Sequence, residues 1–361
     1  MQWRDSKEES TGVNIRDLED KFKRAGGKEI LRQYGREHVL GYALMQAAMQ
    51  GTSQKSLEIV RLSVNNKVLG KLRRKYSGFI REYLKREKER GTEKKPGKRT
   101  DHIWILWLDG MENAPWIVQR CCRSVTENFP DRQIHILTKD NYREYITFPG
   151  FIQEKIDSGV ITKTHMSDLL RLELLIRHGG TWLDATVLCS SSKVPSYMMD
   201  SDLFVFQDLK PGWDGHCQRI SSWMITARTG HPILRLTRAL LYEYWRKNTQ
   251  MADYFLFHDF FELAIEAYPE EWNEVIPCSN AAPHILLLRL FEPYRRDVWE
   301  AVKEMTPFHK LSYKFDASDA QIPGTYYRSI LDPEGSERAC LEGTKPAQTQ
   351  SPQDLIKIGA D

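Results

Sequence analysis

The chain has 361 residues, 41% of them hydrophobic and 11% aromatic, with a formal net charge of +3; that is enough apolar material for a large core and excludes a disordered or fibrous protein. Its six cysteines form no Cys-x-x-Cys pair and no metal-ligand spacing, which argues against a disulfide framework or structural metal and for reduced, mostly buried thiols. No apolar core follows Met1 to mark a signal peptide, and the longest apolar runs, 103–108 and 285–288, are too short to cross a bilayer, so a cytoplasmic location is expected.

Residues 1–100 read as a helical, basic region. Leu40, Ala43, Leu44, Ala47 and Ala48 recur at helical spacing, and Leu57, Val60, Val64 and Val68 begin a second stripe that Phe79, Ile80 and Leu84 extend. Between Lys67 and Arg99 stand fourteen Lys or Arg against four Glu, which leaves the remainder of the chain at about −7. This run is either a solvated helix face or a surface for anionic lipid, where each basic residue is worth about 1 kcal/mol. It lacks interleaved aromatics, so nucleic acid is not expected as a partner. Residues 93–99 read as a linker.

From His102 the pattern changes to alternating strands and helices. Residues 103–108 form a continuous apolar strand, Asp109-Gly110 a turn, and Asn113 a cap for a helix carrying Pro115 near its start. A strand at 134–137, a short helix at 141–146 and a helix at 148–156 follow. Such short intervals argue for a parallel sheet wound with helices, whose ligands gather at the carboxyl ends of the strands. Trp107 and Gly110 lie at such an end; Trp104 reads as core.

The most informative stretch runs from Ser167 to Leu188. Leu169, Leu172, Leu175 and Ile176 mark a helix of about three turns, and Gly179-Gly180 stops it. Residues 181–188 then read as one strand buried on both faces. Asp184 interrupts it, and a carboxylate there must be paired, hydrogen-bonded or exposed at the strand end. It is either a structural ion pair or part of a site. Asp168 and Arg171, at i and i+3 on one helical face, add polar groups that can converge on it. Lys163 and His165 precede this helix and could face an anionic ligand.

Beyond it, residues 203–206 and 222–227 read as strands added antiparallel to the sheet, with a polar, Gly-containing loop at 207–220 between them. His231-Pro232 opens a helix, Asp253 caps the next, and that helix carries His258 and Asp259. Near the end comes Thr306-Pro307-Phe308-His309-Lys310-Leu311-Ser312-Tyr313-Lys314. From about residue 333 the chain reads as a flexible tail.

Asp168-Leu169-Leu170-Arg171, Gly179-Gly180-Thr181-Trp182-Leu183-Asp184-Ala185-Thr186, the Trp107–Gly110 turn, the aromatic run before His258 and the His309-Lys310 segment together resemble the bacterial capsular polysaccharide synthesis proteins, relatives of glycosyltransferase family thirty-two. The resemblance covers about 102–330. It implies an α/β, GT-A-like mixed sheet flanked by helices over 101–332, preceded by the helical region. It also implies a nucleotide-sugar-dependent hexosyltransferase, anomerically retaining, that extends a lipid-linked oligosaccharide or polysaccharide, with a possible peripheral contact with the inner membrane face. Trp107, Gly110, Asp168, Arg171, Gly180, Asp184, Thr186, His309 and Lys310 would hold the donor. Asp184 and Asp259 would be catalytic, Asp259 by stabilising positive charge at the sugar carbon.

Where the wider group has Asp-x-Asp, this chain has Asp184-Ala185-Thr186, so one carboxylate is replaced by a neutral hydroxyl. A divalent cation, Mn²⁺ or Mg²⁺, would rest on Asp184 with help from His309. Two other functions fit the residues: a glycoside hydrolase using Asp184 and Asp259 as its carboxylate pair, or a non-catalytic scaffold of a polysaccharide assembly complex.

Overall fold

The computed structural model describes residues 27–51, 53–89, 97–209, 218–252 and 254–332. The expected cap at Asp253, the tail from 333, and parts of the 93–99 linker and the 207–220 loop lie outside them.

Among the described residues three helices come first: α1 (Gly27–Arg36), α2 (Leu40–Gln50) and α3 (Gln54–Glu89). Then follow β1 (His102–Leu106), α4 (Trp116–Asn128), β2 (Gln133–Leu137), α5 (Gly150–Asp157), α6 (Lys163–His178), β3 (Gly180–Asp184), β4 (Val187–Cys189) and α7 (Ser196–Met199). The chain continues through β5 (Leu203–Gln207), β6 (Ile220–Ala227), α8 (Pro232–Lys247), α9 (Leu256–Ala267), α10 (Pro269–Asn273), α11 (Ala281–Leu288), α12 (Arg296–Met305) and β7 (Phe308–Lys310).

The main sheet has the order β2-β1-β3-β6-β5, and β4 and β7 form a separate antiparallel pair. β1 runs parallel to β2 and to β3, whereas β6 is antiparallel to both β3 and β5. The fold is therefore the expected α/β mixed sheet with two antiparallel additions. Period-two alternation fills a core on each face of the sheet. Trp104, Trp182, Val205 and Ile225 join the helices α3, α6, α8 and α9 on one side. Ile103, Ile105, Leu183, Phe204 and Phe206 join α4, the small sheet, α11 and α12 on the other.

The long basic helix α3 is built into this core. Val60, Val64, Val68, Leu69, Leu72 and Tyr76 are buried along it, and the Tyr76 ring meets Phe260 of α9 edge-on at 5.0 Å. Its opposite face exposes Lys67, Arg74, Arg81 and Lys88 at seven-residue spacing.

Two local expectations need correction. Pro115, not Asn113, occupies the cap position of α4, and Asn113 instead donates its amide to the Asp109 carbonyl at 2.7 Å. Residues 181–188 are also not one strand: β3 ends at Asp184, the chain turns at Ala185-Thr186, and β4 pairs with β7 in the small sheet. That break brings the distant 308–310 segment to Asp184.

Candidate functional site

Leu106 pairs with Asp184, so the carboxylate stands at the carboxyl ends of two parallel strands, with Trp107 directly after β1. Its side chain is 22% exposed, so it is neither sealed in the core nor free in water. Trp182, two residues earlier on the same face of β3, donates its indole N–H to Asp184 Oδ1 at 2.9 Å. Arg171 Nη2 approaches that oxygen at 3.4 Å, and Lys310 Nζ lies 3.4 Å from Oδ2. The ammonium of Lys310 also donates to Thr186 Oγ1 at 3.0 Å.

Arg171 is held from several sides. It donates to the Ser222 carbonyl at 3.0 Å and lies 3.2 Å from Asp168 Oδ1, with Trp182 and Phe257 rings 5.1 and 5.4 Å from its guanidinium carbon. Asp168 in turn meets His165 Nδ1 at 3.2 Å. Trp245 donates its indole N–H to His165 Nε2 at 2.9 Å. Since an indole can only donate, Nε2 is an acceptor and Nδ1–H donates to Asp168. Burial alone would push the Asp168 carboxyl upward, but Arg171, His165 and the nearby His258 hold it below the usual range. The result is one chain of contacts, His165–Asp168–Arg171–Asp184–Lys310–Thr186, running from the core to the strand end.

The helix that carries three of these residues is well anchored. Thr162 caps α6 by accepting the His165 N–H, and Gly179 and Gly180 leave it with φ of +71° and +91°. A Cβ on Gly180 would stand 2.3 Å from the His102 carbonyl oxygen, so glycine there lets β3 enter the sheet beside β1.

The remaining predicted residues fall into two groups. Trp107 and Gly110 share the turn after β1, where Gly110 N–H donates to the Trp107 carbonyl at 3.1 Å. The Trp107 ring meets Tyr313 edge-on at 5.3 Å, and Tyr313 is 41% exposed. Lys163 pairs with Asp109 of that turn at 3.6 Å. These groups rim the strand end.

Gly180, His309 and Asp259 do not. Gly180 begins β3, at the opposite end from Asp184, and its role is the close packing just described. His309 is fully buried on the face of β7 opposite Lys310, where its Nε2 shares a 2.9 Å hydrogen bond with Ser190 and its ring lies 5.0 Å from Trp299. Burial and Lys303 lower its pKa to about 4, so it is neutral near pH 7. Asp259 is also fully buried, accepting from the Gln218 amide at 2.9 Å.

Trp182 and Tyr313 were not singled out from the sequence. The first was legible, because residues 182 and 184 share a strand face; the second depends on a contact between distant segments. Two surface clefts lie elsewhere, one lined by Phe129, Arg132 and Asp200, the other by Tyr42, Lys67 and Arg74. The first holds an Arg132–Asp200 ion pair at 2.7 Å whose acid is exposed, and neither has a part-buried carboxylate paired to two cations as the strand end does.

The donor set does not fit a protein-held divalent cation. Among the described residues no three His, Cys, Asp or Glu side chains could hold a metal ion. Asp184 is already flanked by two cationic side chains, and His309 points away from it.

Fold and site together define an α/β protein with a charge-paired acidic site at the carboxyl end of a mixed sheet. The chain matches the family described as capsular polysaccharide synthesis protein over residues 49–330, and it belongs to that family. The match takes in all of α3.

Two curated relatives share shorter stretches. "O-glycosyltransferase braB" of Annulohypoxylon truncatum is 30% identical over 93 residues, 23% of this chain and 22% of the relative. "O-glycosyltransferase PaGT" of Phomopsis amygdali is 27% identical over 99 residues, 25% of this chain and 24% of the relative. The match thus spans less than a quarter of either relative. Among solved structures, "PaToxG Glycosyltransferase" covers 75% of this chain and 96% of its own, at 14% identity and a TM-score of 0.33.

Proposed function

We propose that this protein is a glycosyltransferase of the GT-A kind that moves a hexose from a nucleoside-diphosphate donor onto a growing surface polysaccharide, carried on lipid. Membership of a capsular polysaccharide synthesis family supports the reading, as do the two partial relatives named as O-glycosyltransferases. The observation that carries it is the Asp184 carboxylate, partly exposed at the end of β3 and oriented by Trp182, Arg171 and Lys310.

Asp184 accepts hydroxyls of the donor's ribose or sugar, while Trp107 and Tyr313 offer ring surfaces to the base. In the transfer, the bond from the sugar's anomeric carbon to the phosphate oxygen breaks, and its electron pair leaves with the diphosphate. The acceptor oxygen bonds to that carbon from the same face, retaining configuration, and its proton passes to the departing phosphate. Lys310 and Arg171 supply positive charge near the leaving group, and fixed charge of this kind stabilises the transition state more than the ground state. Asp168 and His165 act one step back, by holding Arg171 in place.

A carboxylate-pair hydrolase is disfavoured, because such a mechanism needs both acids to reach the sugar and Asp259 is fully buried. The exposed basic face of α3 is proposed to rest on anionic lipid, which would bring the strand end to a lipid-linked acceptor. No helix among the described residues is long and apolar enough to cross a membrane.

A screen of nucleotide sugars for slow donor hydrolysis by the purified protein tests the proposal. Release of nucleoside diphosphate from at least one donor is expected, and sugar release from an oligosaccharide with no nucleotide donor would favour the hydrolase instead.

A further inference from the structure

We infer that the donor site works without a protein-held divalent cation, and that Lys310, docked on Thr186, is the fixed charge standing in the cation's place opposite the diphosphate. The inference rests on the nucleotide-sugar reading above and deepens it.

A cation held by the turn after β3 would bind the side-chain oxygens of Asp184 and Thr186, each at about 2.1 Å for Mg²⁺. Those are the oxygens that Lys310 contacts, at 3.4 and 3.0 Å. A divalent ion there would press against an ammonium whose residue is only 5% exposed and whose backbone is paired to Val187 across the small sheet. The ammonium is thus held in the cation's position by burial and by its contacts with Asp184 and Thr186.

Thr186 already gives one of its two lone pairs to the ammonium, where a metal would compete for it. Its oxygen accepts from Lys310, which leaves its own O–H as a donor. A hydroxyl donor suits a phosphate oxygen. On the other side of Asp184, Oδ1 already receives the Trp182 indole and faces Arg171. His309, the residue that would complete a metal shell, is turned toward Ser190 and Trp299. An ammonium is a well-suited partner for phosphate, acting as a compact point charge. Threonine in place of a second carboxylate thus goes together with a lysine in place of the metal.

The test uses the full chain, stripped of metal, and measures the binding of uridine, guanosine and adenosine diphosphates by calorimetry in EDTA and again in Mn²⁺. Mn²⁺ binding by the protein alone is read separately from the spin-resonance signal of the free ion. At least one diphosphate is expected to bind with affinities that agree within about twofold in the two buffers, and the protein alone is expected to leave the Mn²⁺ signal unchanged. Lys310→Met should weaken that binding by about 10- to 100-fold, the scale of a hydrogen bond to a charged group. Lys310→Arg should retain more of it. Thr186→Val, a smaller change to the turn, should weaken it by about threefold to tenfold. Thr186→Asp combined with Lys310→Met should create Mn²⁺-dependent binding.

Binding by the wild-type protein only in Mn²⁺ would overturn the inference and leave the donor reading intact. Wild-type affinity in both Lys310→Met and Thr186→Val would remove the role given to Lys310. Absence of diphosphate binding in either buffer would sink the inference and the donor reading together.

Discussion

Thr186 and Lys310, 124 residues apart in the chain, meet at 3.0 Å across the turn that follows β3. The contact follows from the end of β3 at Asp184 and the pairing of β4 with β7, where Val187 stands opposite Lys310. It also brings the ammonium to Asp184. If this charge stabilises the departing diphosphate, Lys310→Met should lower kcat by about 10² to 10³, the loss seen when one electrostatic donor is removed from a transition state. Steady-state turnover with a saturating donor checks it, and an unchanged kcat would show that the lysine is structural.

Asp168 is buried between His165 and Arg171. Asp168→Asn would leave Arg171 without its nearest buried carboxylate, and breaking a buried pair on one side costs about 3–5 kcal/mol. Chemical denaturation should show a loss on that scale. Because Asp168 does not touch the donor in this account, whatever activity survives should show a larger change in kcat than in KM, through a loosened Arg171.

His309 gives stability a pH dependence. Its folded pKa is lowered to about 4 from an ordinary 6.5, so the unfolded chain takes up a proton that the folded chain refuses. Its contribution is therefore complete above about pH 6.5 and is lost as pH falls toward 4. Between about pH 7 and pH 5 the cost is about 2 kcal/mol. Urea unfolding of the wild type and of His309→Gln at both pH values should show the variant less stable at neutral pH but less sensitive to acid. An equal loss in both would mean that His309 is not buried neutral.

The basic face of α3 carries exposed Lys67, Arg74, Arg81 and Lys88. Cosedimentation with anionic vesicles should exceed that with neutral vesicles and fall as salt rises. Replacing all four by Gln should weaken it by roughly 1 kcal/mol per charge. Equal binding to both vesicle types would remove the membrane surface from the account.

Much of this was legible in the sequence, and what was not has a physical reason. The helix, the double glycine and the single acid in an apolar strand identify the 163–184 unit from local periodicity alone, and Asp168, Arg171 and Asp184 do converge. Locally, however, His309 and Lys310 are interchangeable candidates. Successive strand residues face opposite sides, and which of them reaches Asp184 is decided by the register with β4. The same limit applied to Asp259, whose helical position carries no mark of the packing that buries it, and to Gly180, whose φ serves the β1–β3 approach.

Donor binding depends most directly on Asp184, and the measurement is calorimetric binding of the best nucleoside diphosphate sugar to the wild-type protein and to Asp184→Asn, with thermal unfolding as the check on folding. The prediction is micromolar-range binding by the wild type and a loss of about 10- to 100-fold in a variant that still folds, since the donor loses its charged acceptor. Equal affinity in the two proteins would contradict the central claim and place the sugar elsewhere on the molecule.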